Sequence, residues 1–313
     1  VIHGGDVLYR SKVPPGLVAE AFEPLKEIAS SGIPVYIVPG NHERSEIPYG
    51  LLASHPNIFI FNRPRSFGLN FGSRLLLLCG FPFFRGDIRS NFNPVLGQTN
   101  WTQFKDACRI LCVHQCFEGS TVGPSEFVFR NRPDTIRVSD IPDGFTAVVN
   151  GHIHRAQILI RDHFTGKRIP PVIHPGSTER TSFAEKDEEK GFIILELDLN
   201  KTRSMIHEIH FESLPTRKMV RIDLEPIEIK KGELRRCVQN ILQDQQKDSI
   251  VQIRIRQRLP SKILGEISNP KLRDMVPETM NVSVSLNFRA ESNHTGLFHL
   301  APKSAIIRNS GNK

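Results

Sequence analysis

The sequence predicts an α/β domain followed by a small α+β domain. Three observations carry this expectation. A strand, a loop, a helix and a strand follow one another within the first forty residues. Glycine-flanked polar residues stand where the buried strands end, the place where an α/β sheet collects a site on one edge. The composition shifts near Leu214 and Pro215, and beyond that point one helical face lies between two strand-like runs.

Residues 1–3 read as the end of a buried strand running into Gly4, Gly5 and Asp6, so a segment is expected upstream of Val1. From residue 16 to 31, Leu17, Val18, Ala21, Phe22, Leu25, Ile28 and Ala29 recur at helical spacing. Gly32 stops that helix and Pro24 predicts a kink in it. Residues 33–38 then form a buried strand, followed by Pro39-Gly40-Asn41-His42-Glu43. Further strands are expected over residues 75–81, 110–114, 146–150, 157–162, 172–174 and 192–197, with a hairpin tip at Thr165 and Gly166. The connection over residues 115–141 is long enough to form a wall of a substrate cleft. Beyond Pro215 come a strand over residues 219–224, a helix with Leu234, Val238, Ile241 and Leu242 on its apolar face, and an alternating strand over residues 250–259. The expected domains are residues 1–213 and 214–290, with a disordered tail over 291–313.

Apolar residues make up 39% of the 313 positions and charged residues 24%, which excludes disordered and collagen-like classes. No apolar run approaches the ~20 residues that span a bilayer. No membrane association is expected, and the chain reads as soluble and cytoplasmic. The five cysteines lack the density of a secreted disulfide framework, so reduced thiols are the default. Cys108, Cys112 and Cys116 are read as core thiols, because their spacing on a strand does not converge on one zinc ion. The net charge of +8 suits a polyanionic partner without naming one.

Four segments stand out together: Gly4-Gly5-Asp6, Gly40-Asn41-His42-Glu43, His114 at a strand end, and Gly151-His152-Ile153-His154. Each alone is weak, since an Asp after glycines usually marks a turn and a strand-terminal His is usually hydrogen-bonded. As a set they supply hard oxygen and imidazole nitrogen, the donor mix that suits Mn²⁺, Fe or Zn²⁺. The adjacent glycines let backbone approach an ion or a phosphate closely.

The order G-G-D, G-N-H-E, a strand ending in His, and G-H-x-H resembles the calcineurin-like metallophosphoesterase superfamily. The resemblance implies a β-sandwich flanked by helices, four layers in the order α/β/β/α, with a small α+β capping domain. It implies two divalent ions, most simply Mn²⁺, that activate water for in-line attack on phosphorus. Asp6 would bridge the ions, Asn41, His114 and His152 would complete the shell of the second, and His154 would bind the first. His42 would steady the transition state or protonate the leaving oxygen. The superfamily's first motif, Asp-x-His, would lie upstream of Val1 with two further ligands, and the chain as given would be impaired without it.

Pro175-Gly176-Ser177-Thr178-Glu179-Arg180-Thr181-Ser182-Phe183, followed by Glu188-Glu189-Lys190-Gly191-Phe192, is similar to a segment of the SbcD-type nucleases that process DNA ends. That likeness implies an exonuclease and endonuclease in DNA repair, acting with an SbcC-type ATPase and possible homodimerisation. Residues 215–260 hold eleven Lys and Arg against six Asp and Glu. Period-two alternation sends Val251, Ile253 and Ile255 to one face and Arg254, Arg256 and Arg258 to the other, a row that could track DNA phosphates. A solvated, aggregation-resistant strand edge is the competing reading of that row. The rival functions are a small-molecule or cyclic-nucleotide phosphodiesterase and an inactive DNA-binding scaffold. His174 is read as a hydrogen-bonded His, His3 as packing directed away from Asp6, Glu179 and Arg180 as partners within their loop, and Trp101 and Phe183 as core.

Overall fold

Buried strands with apolar residues on both faces need a cover on each side, and that requirement builds the first unit. The computed structural model describes residues 1–8, 13–43, 54–104, 106–201, 205–224, 232–256, 258–286 and 308–309. Its elements, in order, are β1 (Ile2–His3), α1 (Pro15–Ser30), β2 (Val35–Ile37), β3 (Ile58–Ile60), β4 (Arg65–Phe71), β5 (Arg74–Gly80), α2 (Ile88–Gly97) and β6 (Cys108–Val113). The connection after β6 carries four short strands: β7 (Cys116–Phe117), β8 (Thr121–Val122), β9 (Phe127–Val128) and β10 (Thr135–Ile136). Then follow β11 (Ala147–Asn150), β12 (Gln157–Arg161), β13 (Arg168–His174), β14 (Gly191–Leu197) and β15 (Ile206–Ser213). The second stretch holds β16 (Met219–Leu224), α3 (Glu233–Gln243), β17 (Ile250–Ile255), α4 (Ser261–Leu264), α5 (Asn269–Arg273), β18 (Asn281–Leu286) and β19 (Arg308–Asn309).

The chain divides into two units, one of residues 1–179 and 188–214, the other of residues 180–187 and 215–313. The boundary near Leu214 is where the composition shifts, but the loop over residues 180–187 packs with the second unit.

In the first unit one sheet runs β1-β2-β3 in parallel and another runs β12-β13-β11-β6-β5-β4. Alternation along β2 and β6 decides which core each side chain enters. Val35 and Ile37 pack with Phe22, Leu25 and Ala29 of α1. Tyr36 and Val38 face Leu78, Ile110 and Cys112 across the sandwich. Leu111 and Val113 join Ile88, Phe92, Val95 and Leu96 of α2 on the far side. This is the four-layer α/β/β/α order, with the β14–β15 hairpin packing Ile193, Leu195 and Ile209 into the middle core.

Helix α1 continues unbroken through Pro24. At the hairpin tip, Asp162 accepts from the N–H groups of Phe164 and Thr165, each at 2.8 Å, and Gly166 takes the left-handed backbone that the turn requires. Trp101 packs against the core and lies 5.0 Å from the Phe145 ring. The thiols at Cys79, Cys108, Cys112 and Cys116 are buried and free, and burial pushes the Cys116 thiol up to about 12.

The second unit is a sheet in the order β18-β17-β16-β19, parallel except where β19 pairs with β16. Its core joins Leu234, Val238, Ile241 and Leu242 of α3 to Val251, Ile253 and Ile255. The expected strand over 250–259 ends instead at Ile255, so period-two alternation governs Arg254 but not Arg256 or Arg258. Pro260 and the short helix α4 turn the chain away immediately afterwards. The tail expected over 291–313 lies outside the described residues, apart from Arg308–Asn309. Among the described residues no helix is long and apolar enough to cross a membrane.

Candidate metal centre

The pairs β1–β2 and β6–β11 are each parallel, so their C-terminal ends deliver the four singled-out segments to one edge of the sandwich. Two close approaches bring the segments together. A Cβ on Gly4 would stand 2.6 Å from the Cα of Gly151, and Gly5 takes a φ of +101° with Val38 and His114 against it. Only glycine fits either place.

His114 is fully buried and sits at the middle of the cluster. Its Nδ1 lies 2.6 Å from the Gly4 carbonyl, which can only accept, so the ring proton resides on Nδ1. The Nε2 lone pair then faces Asp6 Oδ2 at 3.2 Å, Asn41 Oδ1 at 3.0 Å and His152 Nδ1 at 2.9 Å. These four atoms, two oxygens and two imidazole nitrogens, converge as the ligands of a divalent cation would. The ligand atoms of Asp6, His114 and His152 all lie within 4.8 Å of one another. A carboxylate, an amide oxygen and two imidazoles suit Mn²⁺, Fe or Zn²⁺.

The surroundings keep these groups ready to ligate. Burial, with the His114 ring beside it, lowers His152 to about 4, so its imidazole is neutral near pH 7. Burial alone would raise the Asp6 carboxyl, but hydrogen bonds at the carboxylate, among them that from the His42 N–H, outweigh it and hold Asp6 below the ordinary carboxylate range. Phe83 covers the site, its ring centroid 5.8 Å from that of His152 and 6.1 Å from that of His114.

His42 is exposed, with Nε2 at 3.9 Å from Asp6 Oδ2 while its backbone N–H donates to Asp6 Oδ1 at 3.0 Å. His154 is outside the cluster formed by Asp6, His114 and His152. His3 hydrogen-bonds to the glycine loop that carries Asp6. Its Nδ1 accepts from the Gly5 N–H at 3.2 Å, and burial together with the nearby His114 lowers it to about 4. The two-residue strand ends there, so alternation no longer dictates its direction. His174 is the buried, hydrogen-bonded His expected, 3.0 Å from both Ser120 Oγ and Asn150 Nδ2.

Two residues near the centre carry roles that spacing did not reveal. The buried Glu43 carboxylate accepts from the N–H groups of Gly40 (2.6 Å), Asp6 (2.9 Å) and Leu8 (3.3 Å), tying the first two segments together. Its place inside G-N-H-E was the only signal. Arg85 is exposed and donates to the Asn41 carbonyl at 3.2 Å. No sequence signal marks it.

In the second unit Arg254 pairs with both oxygens of Asp223, at 2.5 and 2.7 Å, and Arg256 reaches the same carboxylate at 2.8 Å. Asp223 stands opposite Arg254 in the β16–β17 register. The arginine row is therefore partly neutralised by a neighbour that strand alternation in β17 alone could not reveal. Phe183, expected in the core, lies half-buried beneath the Arg221 guanidinium, 5.3 Å from its ring centroid. Arg180 donates to the Arg217 carbonyl at 3.1 Å.

A four-layer sandwich with Asp, Asn and His at one sheet edge defines a phosphoester hydrolase domain, and residues 1–156 match the calcineurin-like phosphoesterase family. The chain carries a calcineurin-like metallophosphoesterase domain. It is also 26% identical, over 224 residues, to the DNA double-strand break repair protein Mre11 of Methanococcus maripaludis. That match takes in 68% of this chain and 56% of the relative, so the chain covers little more than half of that relative's length.

Proposed function

We propose that this protein is a metal-dependent phosphodiesterase that cuts DNA at ends, as exonuclease and endonuclease, in DNA repair. The observation carrying this reading is the convergence of Asp6 Oδ2, Asn41 Oδ1 and His152 Nδ1 on the Nε2 of His114. The likeness to an Mre11 protein supports DNA as the substrate. In this reading Asp6, Asn41, His114 and His152 would hold one divalent ion, and Asp6 with His154 would hold the other. Divalent ions there, most simply Mn²⁺, would polarise the phosphate and lower the pKa of the attacking water. His42, exposed beside Asp6, protonates the leaving oxygen. Asp6 is kept ionised by its neighbours, and Glu43 holds the loop that presents Asn41. Arg254, Arg256 and Arg258 contact DNA phosphates, and an SbcC-type ATPase and a second copy of the chain are the partners.

A small-molecule or cyclic-nucleotide phosphodiesterase is the second reading. It is favoured by the pairing of Arg254 and Arg256 with Asp223, which reduces the charge left for DNA. The roles are tested by comparing His42→Ala with His152→Ala. The first keeps bound Mn²⁺ and loses at least ~100-fold in hydrolysis of a phosphodiester. The second loses an ion. Equal loss of metal in both variants makes His42 a ligand and ends this assignment, and DNA binding without hydrolysis in the parent points to a scaffold.

A further inference from the structure

Lys190 is among the largest fully buried side chains of the protein, an unusual place for an amine. Its Nζ donates to the backbone carbonyl of His154 at 2.9 Å and to Glu188 Oε2 at 3.0 Å. The same carbonyl accepts the Ser177 N–H at 3.1 Å, delivered by a turn in which Gly176 has a φ of +81°. A Cβ on Gly176 would stand 2.9 Å from Ala156 N and 3.0 Å from the His154 carbonyl, so this turn is pressed against the G-H-x-H loop. The other oxygen of Glu188 accepts from Arg155 Nε at 3.1 Å, and the Arg155 guanidinium also donates to the Gly123 carbonyl at 2.9 Å. All of these residues belong to the first unit.

We infer that Lys190, backed by Glu188, is a positioning residue for His154 and through it for the ion that His154 serves. A buried ion pair is poor evidence of stability, because desolvation offsets its attraction. This one grips a single peptide plane within the G-H-x-H loop. Two donors on the His154 carbonyl fix that plane, and with it the direction in which the His154 ring leaves the backbone. Partners that orient a ligand in this way typically set 10- to 100-fold in metal affinity. The arrangement gives the segment from Pro175 to Phe192 a physical task, since its two flanks, Gly176-Ser177 and Glu188-Lys190, both contact the G-H-x-H loop. The intervening residues 180–187 pack elsewhere, in the second unit.

The inference rests on the two-ion reading above, and the test separates the two. In the full-length protein, Mn²⁺ stoichiometry and affinity are measured by calorimetry and elemental analysis for the parent, Lys190→Met and Glu188→Gln, with circular dichroism to confirm folding. Lys190→Met is expected to weaken one site by ~10- to 100-fold while the site built on His114 stays within about twofold of the parent. Glu188→Gln, which leaves the amine but removes its carboxylate partner, is expected to weaken the same site by a smaller factor. Two sites of parental affinity in a folded Lys190→Met protein overturn the inference alone. If that variant does not fold, parental affinities in Glu188→Gln overturn it. A parent that binds no ion through His154 overturns the two-ion reading and this inference together.

Discussion

Glu43 accepts three backbone N–H bonds from a buried position, and its loss would leave all three donors without that partner. An unpaired buried donor costs about 1–3 kcal/mol. Glu43→Ala is therefore expected to lower unfolding free energy by roughly 3 kcal/mol in urea titrations, and to weaken Mn²⁺ binding because Asp6 and Asn41 lose their common anchor. His174 carries a pH dependence of its own. Burial, with His152 nearby, lowers it to about 3 from an ordinary value of 6.5. A folded-state pKa below the unfolded one means that its contribution is complete above pH 6.5 and is lost as pH falls toward 3. Each proton taken up on unfolding gives a slope of about 1.4 kcal/mol per pH unit. His174→Gln is expected to remove up to that much from the slope of stability against pH between 6 and 4. His3 and His152, also lowered by burial, add slope of the same sign.

At the scale of elements, β16 and β17 place Asp223 beside Arg254, and the pairing depresses Asp223 and raises Arg254, with their mutual hydrogen bonds the largest cause. Replacing Arg254, Arg256 and Arg258 together by Gln is expected to reduce the log–log salt slope of DNA binding by up to ~3. Hydrolysis of a small chromogenic phosphodiester should stay at the parental rate. Asp223→Asn should act in the opposite direction, because it releases two guanidinium groups, and DNA affinity at low salt should rise. Loss of the small-substrate activity along with DNA cleavage would show that the triple variant disrupts folding. No change in either assay would leave the row as a solvated edge and move the small-substrate reading ahead.

At the scale of the molecule, each unit has its own core, and the second is built on Val238 of α3 and Val251 and Ile253 of β17, each fully buried. Ile253→Ala is expected to cost about 2–5 kcal/mol of stability in that unit. Amide exchange should quicken across β16–β18, while Mn²⁺ binding at Asp6, His114 and His152 should hold. If metal affinity falls in step with exchange in the second unit, the two units do not unfold independently.

The sequence by itself determined the α/β class and the order of the four polar segments along the chain. Buried strands, caps and glycine-rich turns leave a local pattern, and a metal site needs a small set of residue types. Only tertiary structure decided what depends on contacts between distant positions. The Nε2 of His114 meets Asp6 and Asn41 because parallel strands from two sheets end at the same edge. Lys190 reaches the His154 carbonyl across 36 positions of chain. Asp223 neutralises Arg254 of the next strand and Arg256 just beyond it, and β17 ends at Ile255 although the arginine alternation of the sequence continues past it. Periodicity reports which face of an element is apolar. It says nothing about which charged group on the neighbouring element stands opposite.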